Sequence, residues 1–254
     1  MFDLSGKVAL ITGSTRGIGL AIAERMAEHG AKVVISSRKP DACATAAERI
    51  IAAGGTARAQ PANISDKAAL QSLVDQTLSE WGQIDILVCN AAVNPYFGPL
   101  GGITDEAFDK IMNSNVRSNL WLCNMVIPHM AQQKDGAVII ISSIAGIKGN
   151  SMLGAYGISK AADAQLARNL AVEWGPSNVR VNAIAPAIIR TDFAKALWDN
   201  PDIYARAVSS YPLRRIGEPD EVAGAAIFLA SRAGGFVTGQ VLVVDGGVTI
   251  SGFD

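Results

Sequence analysis

Cysteine, histidine and long apolar runs are all scarce in this 254-residue sequence. Cys43, Cys89 and Cys123 are odd in number and far apart, which excludes a disulfide framework and any CxxC zinc or redox motif. His29 and His129 stand alone, so no ligand spacing argues for a metal. The longest apolar run, AAIFLA at 225–230, is far short of the roughly 20 residues a membrane helix needs. Neither sign of charge dominates: 22 Lys and Arg face 23 Asp and Glu, which removes the basic excess expected of a nucleic-acid binder. The opening MFDLSGK lacks the basic segment and apolar core of a secretory leader. These absences predict a cytoplasmic protein with no metal, no nucleic-acid partner and no membrane partner.

What is present is an alternation. Nearly half the residues are apolar, enough to bury a large core in a chain this long. Strand patterns occupy 7–12, 32–37, 85–90, 136–142, 179–185 and 241–245, with TARAQP (56–61) as a weaker one. Helical patterns fill about 18–29, 41–53, 66–80, 104–132 and 153–174. Strands joined through helices run parallel, because the chain must cross back over the sheet, and such sheets are covered on both faces. An α/β fold with seven strands is therefore expected, one strand short of a (β/α)₈ barrel. No repeat, low-complexity tract or linker divides the chain, so residues 1–254 read as a single domain.

The first turn from strand to helix is TGSTRGIG, residues 12–19. Glycines there allow a tight turn and bring backbone N–H groups up to a pyrophosphate at the positive end of the helix. Three glycines elsewhere would say little. In this setting they predict a dinucleotide site built from Gly13, Ser14, Arg16, Gly17, Ile18 and Gly19. The second strand ends in Ser36-Ser37-Arg38-Lys39. A site for NAD commonly presents Asp or Glu there, which binds the adenosine 2′-hydroxyl and repels a 2′-phosphate. Ser37 stands where that carboxylate is expected, Arg38 follows it, and Arg16 approaches from the glycine turn. Guanidinium groups clamp phosphate through paired charge-assisted hydrogen bonds, so NADP(H) is expected to be preferred over NAD(H).

A second pattern lies in GAYGISKAADA, residues 154–164. Tyr156 and Lys160 are four apart on a helical stretch, one above the other on the same face. Taken alone, such a pair is an ordinary surface contact. Were the dinucleotide of the glycine turn a nicotinamide one, the pair would have a task. Reducing a ketone needs a proton for the nascent alkoxide, and a free phenol, titrating near pH ~10, is poorly matched to neutral pH. A neighbouring ammonium stabilises the phenolate; bringing a phenol from about 10 to about 7 takes roughly 4 kcal/mol. Ser143 falls at the carboxyl end of the fifth strand, where ligands of open α/β sheets bind. Its hydroxyl would orient the substrate oxygen, with Ser142 beside it as the rival.

TGSTRGIG, CNAA at 89–92 and YGISK, together with the opening GKVALITG and the closing TGQVLVVDGG, resemble the short-chain dehydrogenase/reductase family over essentially the whole chain. SSRK, CNAAVNP and RRIGEP are similar to its subgroup of NADP-dependent retinol dehydrogenase/carbonyl reductases. The resemblance implies a doubly wound Rossmann-type fold and hydride transfer between a nicotinamide and a carbonyl or secondary alcohol. It also implies a homotetramer. Catalytic roles fall to Asn115, Ser143, Tyr156 and Lys160. Ser143-Ile144-Ala145-Gly146 matches the family's serine followed by three residues ending in glycine. Asn115 takes the place of an asparagine that kinks a long helix and holds a water next to the lysine, and Asn113 and Asn119 lie close enough to compete for that role. Lys160 would also hold the hydroxyls of the nicotinamide ribose. For the cofactor the resemblance adds Asn90 and Ala91 on the ribose side and Asn63 and Ile64 near the adenine edge, Asn63 standing in for the usual Asp. Pro186, Ile189 and Thr191 match the segment over the carboxamide. Two departures each put an alanine in place of a glycine: Cys89-Asn90-Ala91-Ala92 for NNAG, and Pro186-Ala187 for PG.

The substrate side is expected from a lid over 188–215, whose Phe193, Leu197 and Trp198 face Val93, Tyr96, Phe97, Met152 and Leu153, with Ser143 at the reacting oxygen. A 3-oxoacyl carrier-protein reductase of the same family is the alternative. It would need basic residues to dock an acidic carrier, and the loops carry Gln132, Gln133 and Ser177 instead. A non-catalytic cofactor sensor is a third reading, opposed by the presence of all four catalytic residues.

Overall fold

The computed structural model describes residues 1–251. The glycine turn joins β1 (Val8–Thr12) to α1 (Gly17–Glu28). There follow β2 (Lys32–Ser36), α2 (Pro40–Ala52), β3 (Thr56–Ala59), α3 (Lys67–Trp81) and β4 (Ile86–Cys89). The second half runs α4 (Asp105–Met112), α5 (Ser118–Gln133), β5 (Gly136–Ile141), α6 (Gly154–Trp174) and β6 (Val179–Pro186). It closes with α7 (Pro201–Val208), α8 (Pro219–Ala230) and β7 (Val241–Val244).

The strands form one sheet in the order β3-β2-β1-β4-β5-β6-β7, every pairing parallel. The doubly wound, seven-stranded parallel fold expected from the sequence is the fold observed. Successive strand residues point to opposite faces. Ala9 and Ile11 of β1 join a layer with Ile22 and Met26 of α1 and Val222 and Ala226 of α8. Leu10 between them joins the opposite layer, with Leu70 and Val74 of α3, Leu122 and Val126 of α5 and Leu170 of α6. Burial on both faces is why the central strands read as continuous apolar runs and do not alternate. Truncating one of these side chains, as in Leu10→Ala, costs about 2–5 kcal/mol. Among the described residues no helix is long and apolar enough to cross a membrane.

Three features refine the sequence reading. The helical pattern over 104–132 is continuous but bulged at the asparagine expected to kink it: a π turn at Asn113–Arg117 joins α4 to α5. The weak third strand is real but short and lies at the sheet edge. The run at 225–230 belongs to α8, a helix the strand-and-helix pattern had passed over. Its small residues allow it to lie closely against α1. The order of strands reverses between β1 and β4, and the crevice beyond their carboxyl ends is where such sheets bind ligands.

Candidate active site

The glycine turn sits at that crevice. Gly13 and Gly17 have φ of +65° and +56°, a region that residues with a Cβ seldom adopt. α1 begins at Gly17 with no side chain capping it, so its first N–H groups stay open to an anion. Ser14 is spent otherwise. It is buried, donating to the Ile11 carbonyl at 2.7 Å and accepting from the Ser36 N–H at 2.9 Å, and so ties the turn to β2. Asn90 braces the same turn from β4: its amide nitrogen donates to the carbonyls of Thr12 (2.9 Å) and Gly13 (3.1 Å). A Cβ on Gly19 would collide with that amide and with the Gly13 carbonyl, so the close packing of the turn itself requires the third glycine. Ala91 follows, its N–H donating to Thr12 Oγ1 at 3.2 Å. A cradle that no Cβ fills, below an uncapped helix, fits the pyrophosphate of a dinucleotide.

Toward the adenosine end, Ser37 is half-buried and Arg38 exposed. Asn63 is exposed, its side-chain oxygen accepting from the Ser65 N–H at 3.2 Å, while half-buried Ile64 packs on the core. Arg16 is exposed and paired with Asp192 at 3.4 Å across the mouth of the turn. Thr191 lies against Gly17, so the start of the lid segment closes down on the glycine turn. Pro186 is buried at the end of β6, and Ile189 is a core residue.

Tyr156 and Lys160 both lie on α6, and the Lys160 ammonium is 5.7 Å from the centre of the Tyr156 ring. The two serines divide their work. Ser142 is buried, its hydroxyl donating to the Lys160 carbonyl at 2.7 Å. Ser143 is half-buried at the carboxyl end of β5, its hydroxyl accepting from the Ala145 N–H at 3.1 Å. The turn 144–146 is pressed onto α6, because a Cβ on Gly146 would sit 2.7 Å from the backbone of Lys160 and Ala161. That close approach brings Ser143 to the same helix as Tyr156.

Asn115 occupies the π turn and is fully buried. Its amide donates to the Val93 carbonyl (3.0 Å) and Ser159 Oγ (3.1 Å), and its oxygen accepts from the Val93 N–H (2.9 Å). Ser159 in turn donates to the Tyr156 carbonyl at 2.7 Å. Such single π turns insert an extra residue into a helix and are frequent at functional sites. Asn119 goes elsewhere, donating to Asp163 at 2.9 Å, and Asn113 is half-buried. Asp163 escaped the sequence reading. A lone carboxylate three residues after Lys160, on the same helix face within the apolar AADAQLA, was the available signal.

The walls meet as well. The Gly98 N–H donates to the Met152 carbonyl at 2.9 Å, and Gly98 pairs with Leu153, so the loop bearing Val93 joins the start of α6. The lid, over 188–215, holds a 3₁₀ stretch, Asp192–Leu197, and α7. Its Phe193 reaches the Tyr156 phenol, their ring centres 6.2 Å apart. Trp198 packs within the lid, its indole N–H donating to the Thr191 carbonyl at 3.1 Å beneath the Arg190 guanidinium. Among the described residues no cluster of His, Cys, Asp or Glu is suited to a metal ion.

An open parallel sheet with a glycine turn at its switch point is an architecture of nucleotide-binding enzymes. A family profile described as "Enoyl-(Acyl carrier protein) reductase" matches residues 13–249. Dehydrogenase/reductase SDR family member 4 of Oryctolagus cuniculus is 42% identical over 244 residues, covering 96% of this chain and 94% of that protein. A gluconate 5-dehydrogenase from Burkholderia cenocepacia, solved with NADP and tartrate, superposes with a TM-score of 0.95 at 34% identity, covering 99% of this chain and 98% of that one. A 7α-hydroxysteroid dehydrogenase solved with NADH and 7-oxo glycochenodeoxycholic acid gives 0.93 at 38% identity, over 97% and 95%. The chain belongs to the short-chain dehydrogenase/reductase family.

Proposed function

We propose that the protein interconverts a carbonyl compound and its secondary alcohol with NADP(H), Tyr156 acting as general acid and base. The observation that carries this reading is the Lys160 ammonium 5.7 Å from the Tyr156 ring, on the helix against which the Ser143 turn is pressed. The nicotinamide, when bound, supplies or accepts the hydride at the carbon bearing the substrate oxygen. Ser143 orients that oxygen through its hydroxyl. Tyr156 gives its phenolic proton to the alkoxide in reduction and takes one in oxidation. Lys160 holds a positive charge beside the phenol and hydrogen-bonds the ribose, and Asn115 holds the loop of Val93 in place. The glycine turn receives the pyrophosphate, and Arg38, with Arg16 once released from Asp192, receives the 2′-phosphate. Phe193, Val93, Met152 and Leu153 present an apolar wall to the substrate and exclude water from the reacting atoms.

The reading includes a homotetramer, which would cover the exposed Val172, Phe236 and Ile250, and a cytoplasmic location suited to three free thiols. Light scattering of the purified protein tests the assembly. Initial rates over ketones, aldehydes, diketones, quinones, steroids and sugar acids, each with NADPH and NADH, test the reaction and define its substrate. Absence of turnover across that panel, despite nucleotide binding, would reduce the protein to a cofactor sensor.

A further inference from the structure

We infer that Asp163 is a positioning residue: as the buried counter-ion of Lys160 it keeps the ammonium charged and aims it at the cofactor cleft. This rests on Lys160 serving as a cofactor ligand, as read above. The Lys160 side chain is 2% exposed and that of Asp163 0%. The ammonium donates to Asp163 Oδ2 at 2.9 Å and to the Ile141 carbonyl at 2.8 Å. An ammonium has three donors, so one remains for a ligand on the cleft side. The carboxylate is itself held, its other oxygen accepting from Asn119 at 2.9 Å, and Asn119 also donates to the Asn115 carbonyl at 2.6 Å. A chain of hydrogen bonds therefore runs from the π turn through Asn119 and Asp163 to Lys160.

Removing a lysine from water disfavours its charged form, by several units of pKa when burial is complete. Burial is the strongest influence on Lys160 and opposes its charge, but the Asp163 carboxylate, with further help from Tyr156 and Cys89, offsets it, so the ammonium is held above the ordinary lysine range. The other ionisable groups facing the pair are Tyr156 on the same helix and Cys89 at the end of β4, with Cys123 on α5 behind Cys89. The hydrogen bond with Cys123, together with burial, pushes the Cys89 thiol well up, so it remains neutral. Asp163 is the one carboxylate paired with Lys160 among the described residues. Without it, the Ile141 carbonyl would be the one acceptor left to the ammonium among the described residues, and burial would shift the lysine toward its neutral form.

The test is the dissociation constant of NADPH, without substrate, between about pH 7 and about pH 9, for the unmodified protein, Asp163→Asn and Lys160→Met. The amide of Asp163→Asn can keep an oxygen for Asn119, but it loses both the charge and the second oxygen that accepts from the ammonium. The unmodified protein is expected to bind with nearly constant affinity. Asp163→Asn should weaken progressively, by up to about tenfold for each pH unit, because binding now requires a lysine to be protonated first. Lys160→Met should bind weakly at every pH. A flat profile for Asp163→Asn beside a weakened Lys160→Met would overturn the role of Asp163 alone. Unchanged affinity in Lys160→Met would instead overturn Lys160 as a cofactor ligand. A purely structural carboxylate would lower thermal stability and leave the pH profile unmoved. Should Asp163→Asn fail to fold, the double variant Asp163→Leu with Lys160→Met removes both buried charges together. Its folding would support the pairing, and its failure to fold would contradict it.

Discussion

Asn115 and Val93 exchange two hydrogen bonds, the amide oxygen accepting from the Val93 N–H at 2.9 Å and the amide nitrogen donating to its carbonyl at 3.0 Å. One side chain thus substitutes for a strand partner and pins the loop after β4 to the π turn. Asn115→Ala strands both backbone groups of Val93, at a cost of about 2–3 kcal/mol. Thermal unfolding should fall by roughly 5–10 °C, and turnover should fall with it as the Val93 loop loosens. Differential scanning calorimetry and steady-state rates on one preparation check both. Stability within about 1 °C of the unmodified protein would show the exchange to be dispensable.

Cofactor preference is expected to reside in Arg38. It is exposed at the end of β2, whereas Arg16 is engaged with Asp192. NADP(H) should be preferred over NAD(H) by on the order of 10²-fold in kcat/KM, about 2.7 kcal/mol. Arg38→Ala should erase most of that difference by weakening NADPH and leaving NADH nearly unchanged. Equal efficiency with both nucleotides in the unmodified protein would contradict the assignment.

The segment after the lid should show an acid-sensitive stability. Glu221 accepts from both terminal nitrogens of Arg215 at 2.7 Å and from the Glu218 N–H at 2.8 Å, closing the first turn of α8. The Arg215 guanidinium and the Glu218 N–H hold its carboxyl down to about 2, against an ordinary value of 4.5. A carboxyl depressed by folding stabilises above its unfolded value and loses that contribution as pH falls through the folded one. Glu221→Gln should therefore melt lower than the unmodified protein at neutral pH. The gap should narrow between about pH 4.5 and about pH 2. The carboxylate is partly exposed, so salt should shrink the gap as well. A gap constant with pH would contradict the ion pair.

Much of this architecture was legible in the residues themselves. Continuous apolar strands separated by helical stretches imply a parallel sheet, and glycines between the first strand and helix imply a nucleotide turn. Other features depend on contacts distant in sequence. The π turn at 113–117 goes with the bonding of Asn115 to Val93, 22 residues away, which helical periodicity does not report and which only the resemblance anticipated as a kink. The uses of Ser14 and Asn90 as braces likewise follow from strand neighbours. Asp163 was overlooked because a single carboxylate in a helix usually faces water, and only the packing of α5 on α6 shows it enclosed.

Transfer of a deuteride from carbon-4-labelled NADPH to a ketone, followed by mass spectrometry of the alcohol in the unmodified protein and in Tyr156→Phe, tests the proposed chemistry most directly. The phenylalanine keeps the ring packed against Phe193 and removes only the proton donor. The unmodified protein should place the label on the carbinol carbon. Tyr156→Phe should bind NADPH nearly as well yet form product at least about 10³-fold more slowly, within the range that general acid–base groups contribute. Labelled alcohol formed at a near-normal rate by Tyr156→Phe, or no labelled alcohol from any ketone with the unmodified protein, would contradict the account.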